Sequence, residues 1–123
     1  MEFESQISFL YYKDLDKAIK FYEEIFKFEK TVDQGWAKIY KTANGAHIGL
    51  VEESKGYLNW QKDKTVMITL VTKELDGVDK WYEYLQKYDV KFLSKPHDID
   101  EINIRGFLLE DPEGYVIEIQ HFL

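Results

Sequence analysis

Three histidines, His47, His97 and His121, and a single arginine, Arg105, are the side chains of this sequence best suited to proton transfer or anion binding. No two histidines are spaced as a His-x-His or His-Glu-x-x-His metal motif, and no Ser-His-Asp arrangement appears, so no nucleophile is proposed. The absence of cysteine removes disulfides, thiolate metal sites and a thiol nucleophile together. Arg105 can clamp an anionic ligand group or a carboxylate of the protein itself, or stand in a surface ion pair. His97, after Pro96, reads as a solvated loop residue. Aromatic residues are plentiful, with 3 Trp, 9 Tyr and 8 Phe, enough to line a cleft as well as a core. Trp36 and Trp60 are the candidates for stacking on a planar ligand, whereas Trp81 lies in a helical pattern and reads as packing.

These groups are carried by 123 residues, 45% hydrophobic and 32% charged, the make-up of a soluble globular domain rather than of a disordered chain or a solenoid. No apolar run approaches the roughly 18 residues of a membrane span. The start, Met1 to Glu4, lacks the basic and apolar regions of a signal peptide, so the cytoplasm is the expected location. A formal net charge of −7 repels phosphate backbones and anionic membranes, which argues against nucleic acid and membrane partners.

An internal repeat organises the chain. Residues 15–23 align with residues 75–83, matching Leu, Asp, Lys, Tyr and Glu and placing Phe21 opposite Trp81; residues 44–50 align in turn with residues 113–119. Each half opens on an apolar run of strand length, residues 7–12 and 66–71, followed by a helical pattern. In the first helix Leu15, Ala18, Ile19, Tyr22, Ile25 and Phe26 recur at three- and four-residue steps behind Asp14 as N-cap; in the second the stripe is Leu75, Val78, Tyr82 and Leu85. Hairpins are expected for residues 36–40 with 46–52 about Asn44-Gly45, and for residues 102–109 with 115–121 about Asp111-Pro112-Glu113-Gly114. Residues 30–33 and 91–93 supply one fainter strand per half. The chain therefore reads as an α+β protein of two tandem βαβββ modules, residues 1–53 and 65–123, joined by a linker over residues 54–64. The helix covers one face of each sheet, and the other, also apolar, needs another cover.

The opening, Lys13 to Tyr22 followed by Ile25-Phe26-Lys27-Phe28, resembles that of the glyoxalase, bleomycin-resistance and extradiol-dioxygenase superfamily, the vicinal oxygen chelate fold. The ending, Asp111 to Ile119, resembles its closing hairpin, and the repeat carries the resemblance over nearly the whole chain. It implies paired modules forming a curved mixed-sheet cleft, a homodimer with ligand at the interface and, in the enzymes, one divalent ion held by the first and last strands of each half. Here the corresponding positions are Ile7, Gly49, Met67 and Glu118, so that one carboxylate stands where three or four ligands are expected. No cofactor is expected on this ground.

With the strand parity the resemblance implies, the cleft is lined by Ile7, Phe9 and Tyr11 from one half and by Met67, Thr69 and Val71 from the other, with Val116, Glu118 and Gln120 on the last strand. His47 shares a strand face with Gly49, and Trp36, Trp60 and Arg105 complete the candidate set. Glu118 is a general base raised by apolar surroundings, an anion for a cationic ligand, or an ordinary solvated or ion-paired glutamate. The leading expectation is a metal-free small-molecule binding protein of the bleomycin-resistance type that holds a cationic aromatic drug or metabolite. The alternative is a divalent-metal-dependent lyase, isomerase or dioxygenase with atypical ligands, and a third reading is an effector-sensing or structural paralogue without turnover.

Overall fold

Strand alternation acts in each half as the sequence suggests, whereas side-chain helix capping acts only in the first, and a computed structural model describes residues 1–123. In the first half the order is β1 (Gln6–Tyr12), α1 (Leu15–Lys20), a π-helical turn (Phe21–Ile25), β2 (Glu29–Asp33), β3 (Ala37–Ala43) and β4 (Ala46–Glu52). In the second it is β5 (Met67–Val71), α2 (Gly77–Leu85), β6 (Lys91–Phe92), β7 (His97–Ile99), β8 (Ile104–Glu110) and β9 (Val116–Phe122). The chain divides into two compact units at Gln61 and Lys62, so most of the expected linker belongs to the first unit. No helix is long and apolar enough to cross a membrane.

The first sheet runs β1-β4-β3-β2, with β1 parallel to β4 and the other pairs antiparallel. Asp14 caps α1 as expected, its Oδ1 accepting from the Lys17 amide at 3.1 Å. The expected single helix to Phe26 is corrected: after Lys20 the coil widens into the π turn, and the Phe26 amide donates to the Phe21 carbonyl at 3.4 Å. This widening accompanies a packed cluster of Phe21, Tyr22, Phe26 and Phe28, with Phe21 and Tyr22 edge-on at 4.9 Å between ring centroids. Glu23 accepts from the hydroxyl of Tyr40, and burial, reinforced by that hydrogen bond, pushes the Tyr40 phenol well above its ordinary range. Tyr12 and Tyr22 meet through their hydroxyls at 3.4 Å. Leu10, Tyr12, Tyr40, Ile48 and Leu50 are thus the helix-covered face of this sheet, all buried.

In the second unit β5, β9, β8 and β6 follow one another, and β7 pairs with β8 beyond β6. The short β7 places His97 in a strand, opposite Gly106, correcting the loop expected there; its side chain is nonetheless exposed, with Nδ1 2.8 Å from the Lys95 carbonyl. Helix α2 begins at Gly77, two residues later than the stripe suggests, leaving Leu75 half-exposed outside it. Phe107, Leu109, Ile117 and Ile119 form the helix-covered face with Val78 and Leu85, and Tyr82 of α2 meets Phe107 edge-on at 5.2 Å. The closing turn is locked by buried Asp111, whose Oδ1 accepts from the amides of Glu113 and Tyr115 at 3.0 and 2.9 Å.

Candidate functional site

Strand pairing sorts the candidate residues onto two open sheet faces, one in each unit. In the first, the register sets three rows across the face away from α1. The central row is Phe9, Gly49, Ile39 and Val32; the next is Tyr11, Val51 and Ala37; the third is Ile7, His47 and Lys41. Ile7 is 37% and Phe9 47% exposed, which for large apolar side chains marks surface available for contact. His47 is half-buried, and its Nδ1 is enclosed without a hydrogen-bond partner.

Gly49 explains how Phe9 sits. A Cβ at this position would overlap the ring carbons Cδ1 and Cε1 of Phe9, so the bare backbone of β4 is the seat of that ring. A side chain at 49 able to reach an ion would have to displace the ring first.

In the second unit the face away from α2 carries Met67, Thr69 and Val71 of β5 beside Val116, Glu118 and Gln120 of β9, with Gly106, Leu108 and Glu110 of β8 beyond. Thr69 donates its hydroxyl to Glu118 Oε1 at 2.9 Å, holding the carboxylate on this face. Met67 and Val71 are about half exposed, whereas Gln120 is buried.

The family-implied metal does not fit these residues. Ile7 offers no lone pair, Gly49 supports an aromatic ring and Met67 presents a thioether suited only to soft ions, which leaves Glu118 as the one oxygen donor among the four positions. No three His, Cys, Asp or Glu side chains gather as a metal-binding group.

Two further candidates belong elsewhere. Arg105 lies on the helix-covered side of β8, not on the open face, because its parity is that of Phe107 rather than Gly106. There Nε and Nη2 donate to Asp79 of α2 at 3.0 and 2.9 Å, and Nη1 donates to Asp98 of β7 at 3.0 Å. Its donors tie helix to sheet. Trp60 packs on Tyr11, Ala37 and Val51, and Lys13 Nζ stands 4.2 Å from its ring centroid, so a cation of the chain already occupies that ring. Trp36, 46% exposed between β2 and β3, remains open.

The Arg105 hydrogen bonds hold the Asp79 carboxyl below the 3.8 of an ordinary aspartate. A depressed carboxyl stabilises the fold above the unfolded value, and its contribution is lost as pH falls through the lower folded value. In Arg105→Gln, the Asp79 titration followed by carbon-13 NMR is therefore expected to move up towards 3.8. An unchanged midpoint would show that the guanidinium does not set it.

A profile of the glyoxalase/bleomycin resistance protein/dioxygenase superfamily matches residues 6–119. Among solved structures, a glyoxalase/bleomycin resistance protein/dioxygenase from Nocardioides superposes with a TM-score of 0.81 at 18% identity, covering 100% of this chain and 85% of that one. A family enzyme of the same description from Burkholderia phytofirmans PsJN gives 0.81 at 15% identity, covering 95% and 97%. A lactoylglutathione lyase from Agrobacterium tumefaciens gives 0.76 at 17% identity, covering 94% and 91%. No curated protein matches the sequence. At such identities the likeness establishes the fold, which hosts many chemistries.

Proposed function

Because the chain belongs to the glyoxalase/bleomycin resistance/dioxygenase superfamily yet carries hydrocarbon, bare backbone and a thioether at three of the four positions its metal would require, we propose that it binds a small aromatic molecule without a metal. The observation that carries this reading is the Phe9 ring seated on Gly49, which puts an exposed aromatic surface where the family pattern calls for a ligand side chain. On the first unit Phe9 and Val32, flanking buried Ile39, offer an exposed apolar bed; the second unit by itself offers Glu118, steadied by Thr69, beside half-exposed Met67 and Val71, which suits a cationic ligand. The net charge of −7 favours the approach of a cation. A homodimer belongs to the same proposal, since Ile7, Phe9, Met67 and Val71 are exposed apolar surface of the kind a partner or ligand covers.

The test is a thermal-shift screen of the purified chain against cationic aromatic antibiotics, each with and without a chelator. A ligand at a hundred times its Kd is expected to raise Tm on the order of 10 °C, unaffected by chelation. Stoichiometric divalent ion surviving dialysis, or stabilisation and turnover that vanish with chelator, would replace binding with metal-dependent catalysis.

A further inference from the structure

Residues 53–61, of which 54–61 are expected as part of a linker, lie down on the open face of the first sheet. Gly56 makes this possible, because a Cβ there would overlap Tyr11 Cε2 and come within 2.7 Å of Val51 Cγ1. The next two amides, of Tyr57 and Leu58, both donate to the Tyr11 hydroxyl oxygen, at 3.1 and 3.2 Å. Trp60 packs beside them on Tyr11, Ala37 and Val51, under the Lys13 ammonium. At its start the segment is tied to the sheet by the Glu53 amide, which donates to the Tyr12 carbonyl at 2.9 Å. Its tip is exposed, Tyr57 almost fully at 97% and Leu58 at 59%.

One phenol therefore gathers two successive amides of a segment whose outer side faces water. We propose that residues 53–61 form a strap latched by the Tyr11 hydroxyl, and that its lifting uncovers the row Tyr11, Val51 and Ala37, extending the apolar bed of Phe9, Ile39 and Val32 by one row. The strap then sets how long a molecule the face accepts, and Tyr11 is a positioning residue acting through it. The gating role rests on the ligand-binding reading above; the latch itself does not.

Hydrogen exchange in the full chain separates the two. In Tyr11→Phe the amides of Tyr57 and Leu58 are expected to exchange about tenfold faster than in the natural protein, while those of Ile48 and Leu50 in β4 keep their rates. Chymotrypsin should then cut after Tyr57 sooner. Unchanged exchange at Tyr57 and Leu58 would overturn the latch. If β4 also loses protection, Gly56→Ala decides, since it keeps the phenol but crowds the strap off Tyr11; it should reproduce the faster exchange, and failure to do so overturns the proposal. The anionic dye anilinonaphthalene sulfonate, which brightens on apolar surface, reads the uncovered row. Brightening in the opened variant supports gating; faster exchange without brightening leaves a latch that exposes no binding surface, and overturns the gating role whatever becomes of the ligand screen.

Discussion

Phe107→Ala is expected to destabilise the protein by about 3–5 kcal/mol. The ring is 1% exposed on β8, opposite Ile119 of β9, which is equally enclosed. Tyr82 of α2 meets it edge-on at 5.2 Å and Phe92 of β6 lies 6.1 Å away, while Tyr82 and Phe92 also touch at 4.9 Å, so three aromatic rings share one contact. Removing the central ring leaves a cavity whose walls are strand backbone and two rings held by other partners, which limits collapse. Against a typical total stability of about 5–15 kcal/mol this is a large fraction, equivalent to a fall in Tm of roughly 10–25 °C. Urea unfolding with an unchanged m-value checks it, and Phe122→Ala, at a ring 63% exposed, should stay within about 0.5 kcal/mol of the natural protein. A cost below about 1 kcal/mol for Phe107→Ala would mean that α2 is not anchored to its sheet through this ring.

Phe107 also marks where sequence reasoning works well. Apolar alternation along β8 and β9 is local information, and the Asn44-Gly45 turn fixes β4 at Ala46–Glu52 as expected. The same period separates Leu10 and Tyr12, buried under the helix, from Ile7 and Phe9 on the open face. The π turn was hidden because Phe21 to Ile25 has the spacing of an ordinary helix, and the wider hydrogen bonding comes with aromatic contacts reaching Phe28. Strand β7 was hidden by Pro96 and Asp98, which read as loop, although pairing with β8 needs only backbone.

The candidate site divides along the same line. Which residues share a face with Gly49 or Glu118 followed from parity. For Arg105 the sequence offers both a cleft role and an ion pair with the protein's own carboxylates; the structure has the ion pair, and nothing near Arg105 in sequence reveals Asp79, a helix residue brought to it by packing. Trp60 looks open for stacking in the sequence because neither Lys13 above it nor Tyr11 beneath it is close in sequence. That Gly49 seats a ring and Gly56 lays down a strap is likewise invisible in one dimension, where both glycines look like flexible punctuation.

Glu118→Gln is expected to weaken binding of a cationic aromatic ligand about 10–100-fold while leaving a neutral analogue of the same shape unaffected. The substitution keeps the length of the side chain and an oxygen that can accept from the Thr69 hydroxyl, now 2.9 Å from Oε1, so it removes charge rather than shape. Glu118 is half-buried between Thr69 and Leu108 on the open face, and a cation meeting it there is less screened than at a fully exposed acid. Raised salt should therefore weaken binding in the natural protein and have much less effect in the variant. Thr69→Val keeps the charge but frees the carboxylate, and is expected to cost less, about 3–10-fold. Titration calorimetry at two salt concentrations gives all three results. Equal affinity and equal salt response in Glu118→Gln would show that the carboxylate does not touch the ligand. A fall of several degrees in the Tm of the ligand-free variant would instead assign Glu118 to the fold, because an acid placed for a ligand contributes little until that ligand arrives.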